Sequence, residues 1–225
     1  MKRKFKRFRR NLRKRIYKEI SYKIILKSKK DILKTSLNVR PFLNDDKIFM
    51  PSDNWYNPIL NARMSMAEIY ISEGYINAAL WMLTLIKLSN NNGRKNAYIY
   101  PAMFCFRQYI ELIMKDTIRR FEQNEIGRSK NLGYHNLNEL WIDLKQYIDY
   151  IDEEVNAIDK LILELQRIDG NSFSFRYLTE RKAGRRIEFT FDEFVDVDEL
   201  EIRMLQIYRF FEGLNSKSYE VENYC

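Results

Sequence analysis

The segment PAMFCFRQYIELIMK, starting at Pro101, is apolar almost all round except for Arg107, Glu111 and Lys115, with Gln108 alongside. Those three residues recur every fourth position, so on a helix they lie one above another. A helix with apolar side chains on nearly every face is stable in water only at the centre of a bundle. The segment therefore predicts a central helix from Pro101 to about Asn124, and other elements arranged around it. Charges on such a helix need partners, because burying an unpaired charge is costly. Two readings of the ladder follow: a self-satisfied stripe, or one wall of a polar cleft in which Arg107 grips a phosphate or carboxylate.

The rest of the chain repeats the helical period. Leu60, Met64, Ile69, Ile76, Leu80, Leu83 and Ile86 predict a helix from Asn57-Pro58 to about Leu88, with Gly74 bending or dividing it. SNNNGR at 89–94 reads as a turn. Leu137, Leu140, Trp141, Leu144, Ile148 and Ile151 predict another helix, and Val155, Ile158, Leu161, Ile162, Leu165 and Ile168 a further one. Asp169, Gly170, Asn171 and Ser172 end it. Then the period changes: Phe173, Phe175 and Tyr177 alternate, as do Ile187, Phe189 and Phe191, around ERKAG. That pattern predicts a small β-hairpin. A last helix, capped by Asp198, carries Leu200, Met204, Leu205, Tyr208, Phe211 and Leu214. With only seven Gly and four Pro in 225 residues, a loop-rich all-β fold is disfavoured. The expected fold is an all-α, up-and-down bundle of four to five core helices with the hairpin appended.

Charge divides the chain. Residues 1–34 hold 16 Lys/Arg against Glu19 and Asp31, while the remainder holds 23 Lys/Arg against 29 acidic residues. A net +14 arm thus precedes a net −6 body. Phe5, Phe8, Leu12, Ile16, Ile20 and Ile24 give the arm one apolar stripe, the mark of a basic amphipathic helix. Its expected partner is anionic: nucleic acid, an acidic membrane surface, or the acidic body. Residues 35–57 read as a linker, 58–214 as the helical domain and 215–225 as a tail. Two cysteines make no disulfide framework, and Lys18, Glu19, Lys23 and Lys27 interrupt any secretory h-region, so a cytoplasmic location is expected. The apolar runs read as too short or too punctuated to span a bilayer.

His135, the single histidine, opens HNLNELW at a helix boundary. It reads either as a boundary residue bonded to backbone or a carboxylate, or as a general acid–base near neutral pH. Arg176 and Tyr177, with Arg181, Lys182, Arg185 and Arg186 at the hairpin turn, could meet nucleic acid by phosphate pairing and stacking, or the aromatics could simply pack on the bundle. Phosphate-loop, dinucleotide, zinc-protease, nucleophile-elbow and CxxC patterns are absent, and no cofactor or metal is expected.

The order of these motifs resembles the HEPN superfamily. More narrowly it is similar to bacterial HEPN-like proteins with an RxxxExxxK helix (Arg107, Glu111, Lys115), an HxL motif (His135, Leu137) and a DxxSxxFRY segment (Asp169, Ser172, Phe175, Arg176, Tyr177). The match covers roughly residues 58–214. The resemblance implies a helical bundle, usually a homodimer, and RNA as a partner. Many members are metal-independent endoribonucleases of toxin–antitoxin or antiphage defence systems, with a cognate antitoxin or other protein partner. They typically cut RNA with an R-x4-6-H motif, whose spacing occurs here only at Arg128 and His135. On this reading His135, Arg128 and Arg176 are the catalytic candidates, and Arg107, Glu111, Lys115, Asn136 and Tyr177 the binding candidates. The rival expectations are a catalytically inactive module that binds a protein, nucleotide or RNA, and a peripheral membrane protein held by residues 1–34.

Overall fold

The computed structural model describes residues 67–126, 132–148, 152–170, 172, 174–176 and 195–222. The arm, the linker, Arg128, Tyr177 and nearly all of the expected hairpin lie outside them. The described elements are five helices: α1 (Ala67–Leu88), α2 (Asn92–Ile126), α3 (Leu137–Lys145), α4 (Glu153–Ile168) and α5 (Val197–Glu222). Among the described residues there is no strand, so the region is an all-α helical bundle. Residues 174–176 form a turn.

α2 is the centre, packed against α1, α3 and α5, while α4 packs on α3 and α1 also meets α5. It starts nine residues before Pro101, at Asn92. The polar run 89–91 makes the cap: Asn91 Oδ1 accepts from Arg94 N at 3.0 Å, and Asn91 O accepts from Lys95 N at 3.1 Å. That side-chain acceptor satisfies a first-turn donor which nothing else in the helix can reach. Pro101 sits inside the helix, where it removes one backbone donor. Gly74 does not divide α1, which is continuous from Ala67 to Leu88. Among the described residues α1 (Ile69–Leu88) has the length and hydropathy, 1.2 on average, of a membrane span, contrary to the expectation from punctuation. Its Ile76, Ala79, Leu83 and Ile86 are nonetheless buried in the bundle core. Lys87 at its end bonds Asp198 and Glu201 of α5 at 3.0 and 2.6 Å.

The core joins those residues to Phe106, Ile110, Met114 and Ile118 of α2, Leu137, Leu140, Trp141 and Leu144 of α3, Ile158 and Ile162 of α4, and Met204 and Phe211 of α5. The expectation that α2 is buried apolar surface all round needs correction. Phe104, Cys105 and Leu112 are only half-buried, while Arg107, Glu111, Lys115 and Thr117 are buried. The charged ladder points inward, so the stripe Phe104, Gln108, Leu112, Asp116, four residues apart, is displaced to the outer side.

α3 is shorter than its apolar pattern, ending at Lys145 and turning at Gln146 and Tyr147. Its N-cap is Asn136, whose Oδ1 accepts from Asn138 N at 2.9 Å and Glu139 N at 3.2 Å. Asp152 caps α4. Asp196, two residues before Asp198, caps α5 by accepting from Asp198 N and Glu199 N at 3.0 Å each. Asp198 and Glu199 then add negative charge to the first turn, where the helix dipole favours it. The α5 backbone continues to Glu222, into the expected tail.

Candidate functional site

Three stretches far apart in the sequence meet at one polar site: the α2 ladder, the residues entering α3, and the turn that ends α4. Glu111 is its hub. Oε2 accepts from Arg107 Nη1 at 3.0 Å; Oε1 accepts from Lys115 Nζ at 2.9 Å and faces His135 Nδ1 at 2.6 Å. The i,i+4 spacing supplies the first two contacts, and the chain entering α3 supplies the third. Burial alone would raise the Glu111 carboxyl. Hydrogen bonds from Lys115 and His135 and the charges of Lys115 and Arg107 outweigh burial and hold it below its ordinary value.

Arg107 is wholly enclosed, at 0% exposure. Besides Glu111 it donates from Nη2 to the backbone oxygen of His135 at 2.5 Å and from Nε to that of Asp169 at 3.4 Å. One guanidinium thus pins α2, the start of α3 and the end of α4. Burial draws its pKa down, opposed by the charges of Glu111 and Asp169, while the nearby positive charge of Arg176 acts with burial. The donors that would grip a phosphate are directed at protein oxygens.

The α4 exit is built around Asp169 and Ser172. Asp169 is fully buried, and its Oδ1 accepts from Ser174 N at 2.9 Å. Its Oδ2 is buried without a hydrogen-bond partner among the described residues. Ser172 has φ 59°, a left-handed conformation rare outside glycine, and its hydroxyl accepts from Gln108 Nε2 at 2.7 Å. The Ser172 oxygen accepts from Arg176 Nε at 2.7 Å, and the Arg176 guanidinium lies 5.1 Å from the Phe104 ring centre. These contacts fold Ser172 and residues 174–176 over the outer stripe of α2 and hold the exposed Arg176 on it. Gln166 braces the same corner: its Oε1 accepts from Leu137 N at 2.9 Å and its Nε2 donates to Gly170 O at 3.1 Å.

His135 is the exposed member. Its side chain is 69% accessible, against 4% for Glu111 and 0% for Arg107. With Nδ1–H donated to Glu111, the proton-accepting nitrogen is Nε2, which has no hydrogen-bond partner among the described residues. The arrangement is a carboxylate–histidine dyad at the surface, mounted on a buried ion network.

The structure brings together Arg107, Glu111, Lys115, His135 and, through Asp169 and Ser172, Arg176. Asn136 serves as the α3 cap and donates from Nδ2 to Glu139 Oε1 at 3.1 Å. Sequence reasoning did not anticipate Gln166, whose type and position carry no signal. It also did not anticipate the two backbone oxygens that receive Arg107. Compared with known proteins, the chain matches no family model, no curated protein and no solved structure.

Proposed function

We propose that this chain is an HEPN-like, RNA-associated protein that cleaves RNA without a metal, as a ribonuclease toxin or antiphage defence effector of the cytoplasm. The observation that carries the reading is the exposed His135 with Nδ1 held 2.6 Å from the buried Glu111 carboxylate. Glu111 fixes the ring and its tautomer, and Nε2 takes the proton of a ribose 2′-hydroxyl. The 2′-oxygen forms its bond to phosphorus as the P–O5′ bond breaks, and the protonated ring or water returns a proton to the departing oxygen. Arg176, and Arg128 from outside the described residues, supply positive charge to the phosphorane. A homodimer would bring a second His135, and a cognate antitoxin would mask the site.

One observation favours the rival reading of an inactive binding module: Arg107 spends its donors on the fold itself. A single comparison separates the two. Full-length protein should cut RNA in a metal chelator, leaving 2′,3′-cyclic phosphate ends, and His135→Ala should slow cleavage by about 10²–10⁴-fold while the melting temperature holds. Cleavage at the wild-type rate in His135→Ala would refute the dyad. RNA binding with no cleavage by either protein would establish the inactive module.

A further inference from the structure

A second polar site lies on the other side of α2. Tyr109 and Ile113 follow Arg107 and Glu111 by two positions, which turns them about 200° around the helix axis. There α1, α2 and α5 enclose a cavity of about 190 Å³, well above the volume one water needs. Tyr109 forms part of its wall. The ring is 1% exposed, yet its hydroxyl is buried without a hydrogen-bond partner among the described residues. An unpartnered buried hydroxyl is costly, and its oxygen stays available to a donor from outside the protein.

The sign of the wall decides which donor. Among the described residues that line it, Asp116 is bonded to Arg120 Nε at 2.9 Å, while Glu73 and Glu212 add their negative charges to the field at Tyr109. Burial, with the negative charges of Glu212 and Glu73, raises the Tyr109 and Tyr208 phenols, so both keep their protons at neutral pH. The two rings lie 6.1 Å apart, centre to centre. Carboxylates and aromatic faces together attract cations and repel anions.

We propose that the cavity between α1, α2 and α5 binds the head group of an organic cation, a primary ammonium or guanidinium, with the Tyr109 hydroxyl as acceptor and Glu73 as counter-charge. Such a head group comes from a free polyamine-like molecule or from a Lys or Arg side chain of a protein. The site stands independently of the His135 dyad.

The test titrates full-length protein by calorimetry with 1,4-diaminobutane, a trilysine amide and, as neutral control, 1,4-butanediol. Saturable 1:1 binding of a cationic probe is expected, and none of the diol. Tyr109→Phe and Glu73→Gln should each weaken it by roughly 3- to 10-fold, the effect of one hydrogen bond or one partly screened charge. Tighter binding of the diamine identifies a free amine as the ligand; tighter binding of the peptide identifies a protein side chain. In the absence of ligand, Tyr109→Phe should keep or raise the melting temperature. The proposal is overturned if neither cation saturates, if the diol binds equally, if both variants bind as wild type, or if Tyr109→Phe melts lower.

Discussion

Glu111 satisfies three neighbours with two oxygens, and the energetics of the site follow from that. Removing it leaves Arg107 enclosed without its carboxylate, and removing Arg107 leaves two backbone oxygens without their donor. Each of Glu111→Gln and Arg107→Met should cost about 3–5 kcal/mol in chemical denaturation, and the double variant clearly less than the sum. Additive costs would show that the pair is not coupled. The pH dependence has a definite sign. Because the folded carboxyl lies below its ordinary value of 4.5, its stabilisation is complete above that value and fades as pH falls through the lower, folded value. Denaturation midpoints followed from about pH 7 to about pH 3 should fall less steeply in the double variant than in wild type. Much of this site was legible in the sequence, because four-residue spacing on an apolar helix forces the ladder into register. The acceptors of Arg107 were not: carbonyl oxygens belong to every residue, and only the fold selects those of His135 and Asp169.

At the scale of elements, α2 decides the architecture, and its inward and outward faces should differ sharply. Ile110, at 0% exposure, meets core on all sides, so Ile110→Ala should cost about 2–5 kcal/mol. Leu112, half-buried on the outer stripe, should lose less than half as much when cut to Ala. Equal losses would mean the stripe is covered. The Asn91 cap is expected to contribute about 1 kcal/mol, measured as the loss in Asn91→Ala. The apolar periodicity revealed the helices, while the start of α2 and the cap of α5 were misplaced for identifiable reasons. Pro101 resembles a first-turn residue, although Asn91 upstream supplies the cap. Asp198 lies in an acidic run of which Asp196 is the member whose backbone leaves the helix. The face of α2 that turned outward was misjudged because apolar side chains outnumber the charged ones on it, and count alone does not reveal which face the partners pull in.

For the whole molecule, charge is divided: residues 1–34 carry net +14 and the remainder net −6. The arm lies outside the described residues. If residues 1–34 bind RNA, their deletion should weaken RNA affinity sharply and flatten its dependence on salt, because fewer counterions are released. Affinity measured across a salt series in full-length and truncated protein decides it; identical slopes would remove RNA as the arm's target. Loss of binding to anionic vesicles, with RNA affinity intact, would assign the arm to membranes instead.

The reach of Arg107 has a consequence for the making of the protein. Its last acceptor, the oxygen of Asp169, lies 62 residues downstream. At ordinary rates of synthesis the ribosome needs about 3–12 s to add that stretch. From the addition of His135 to that of Asp169, 34 residues later, the nascent chain carries the ladder and His135 without the α4 exit that fastens them. The buried network around Arg107 is therefore complete only after Asp169 has been added to the chain.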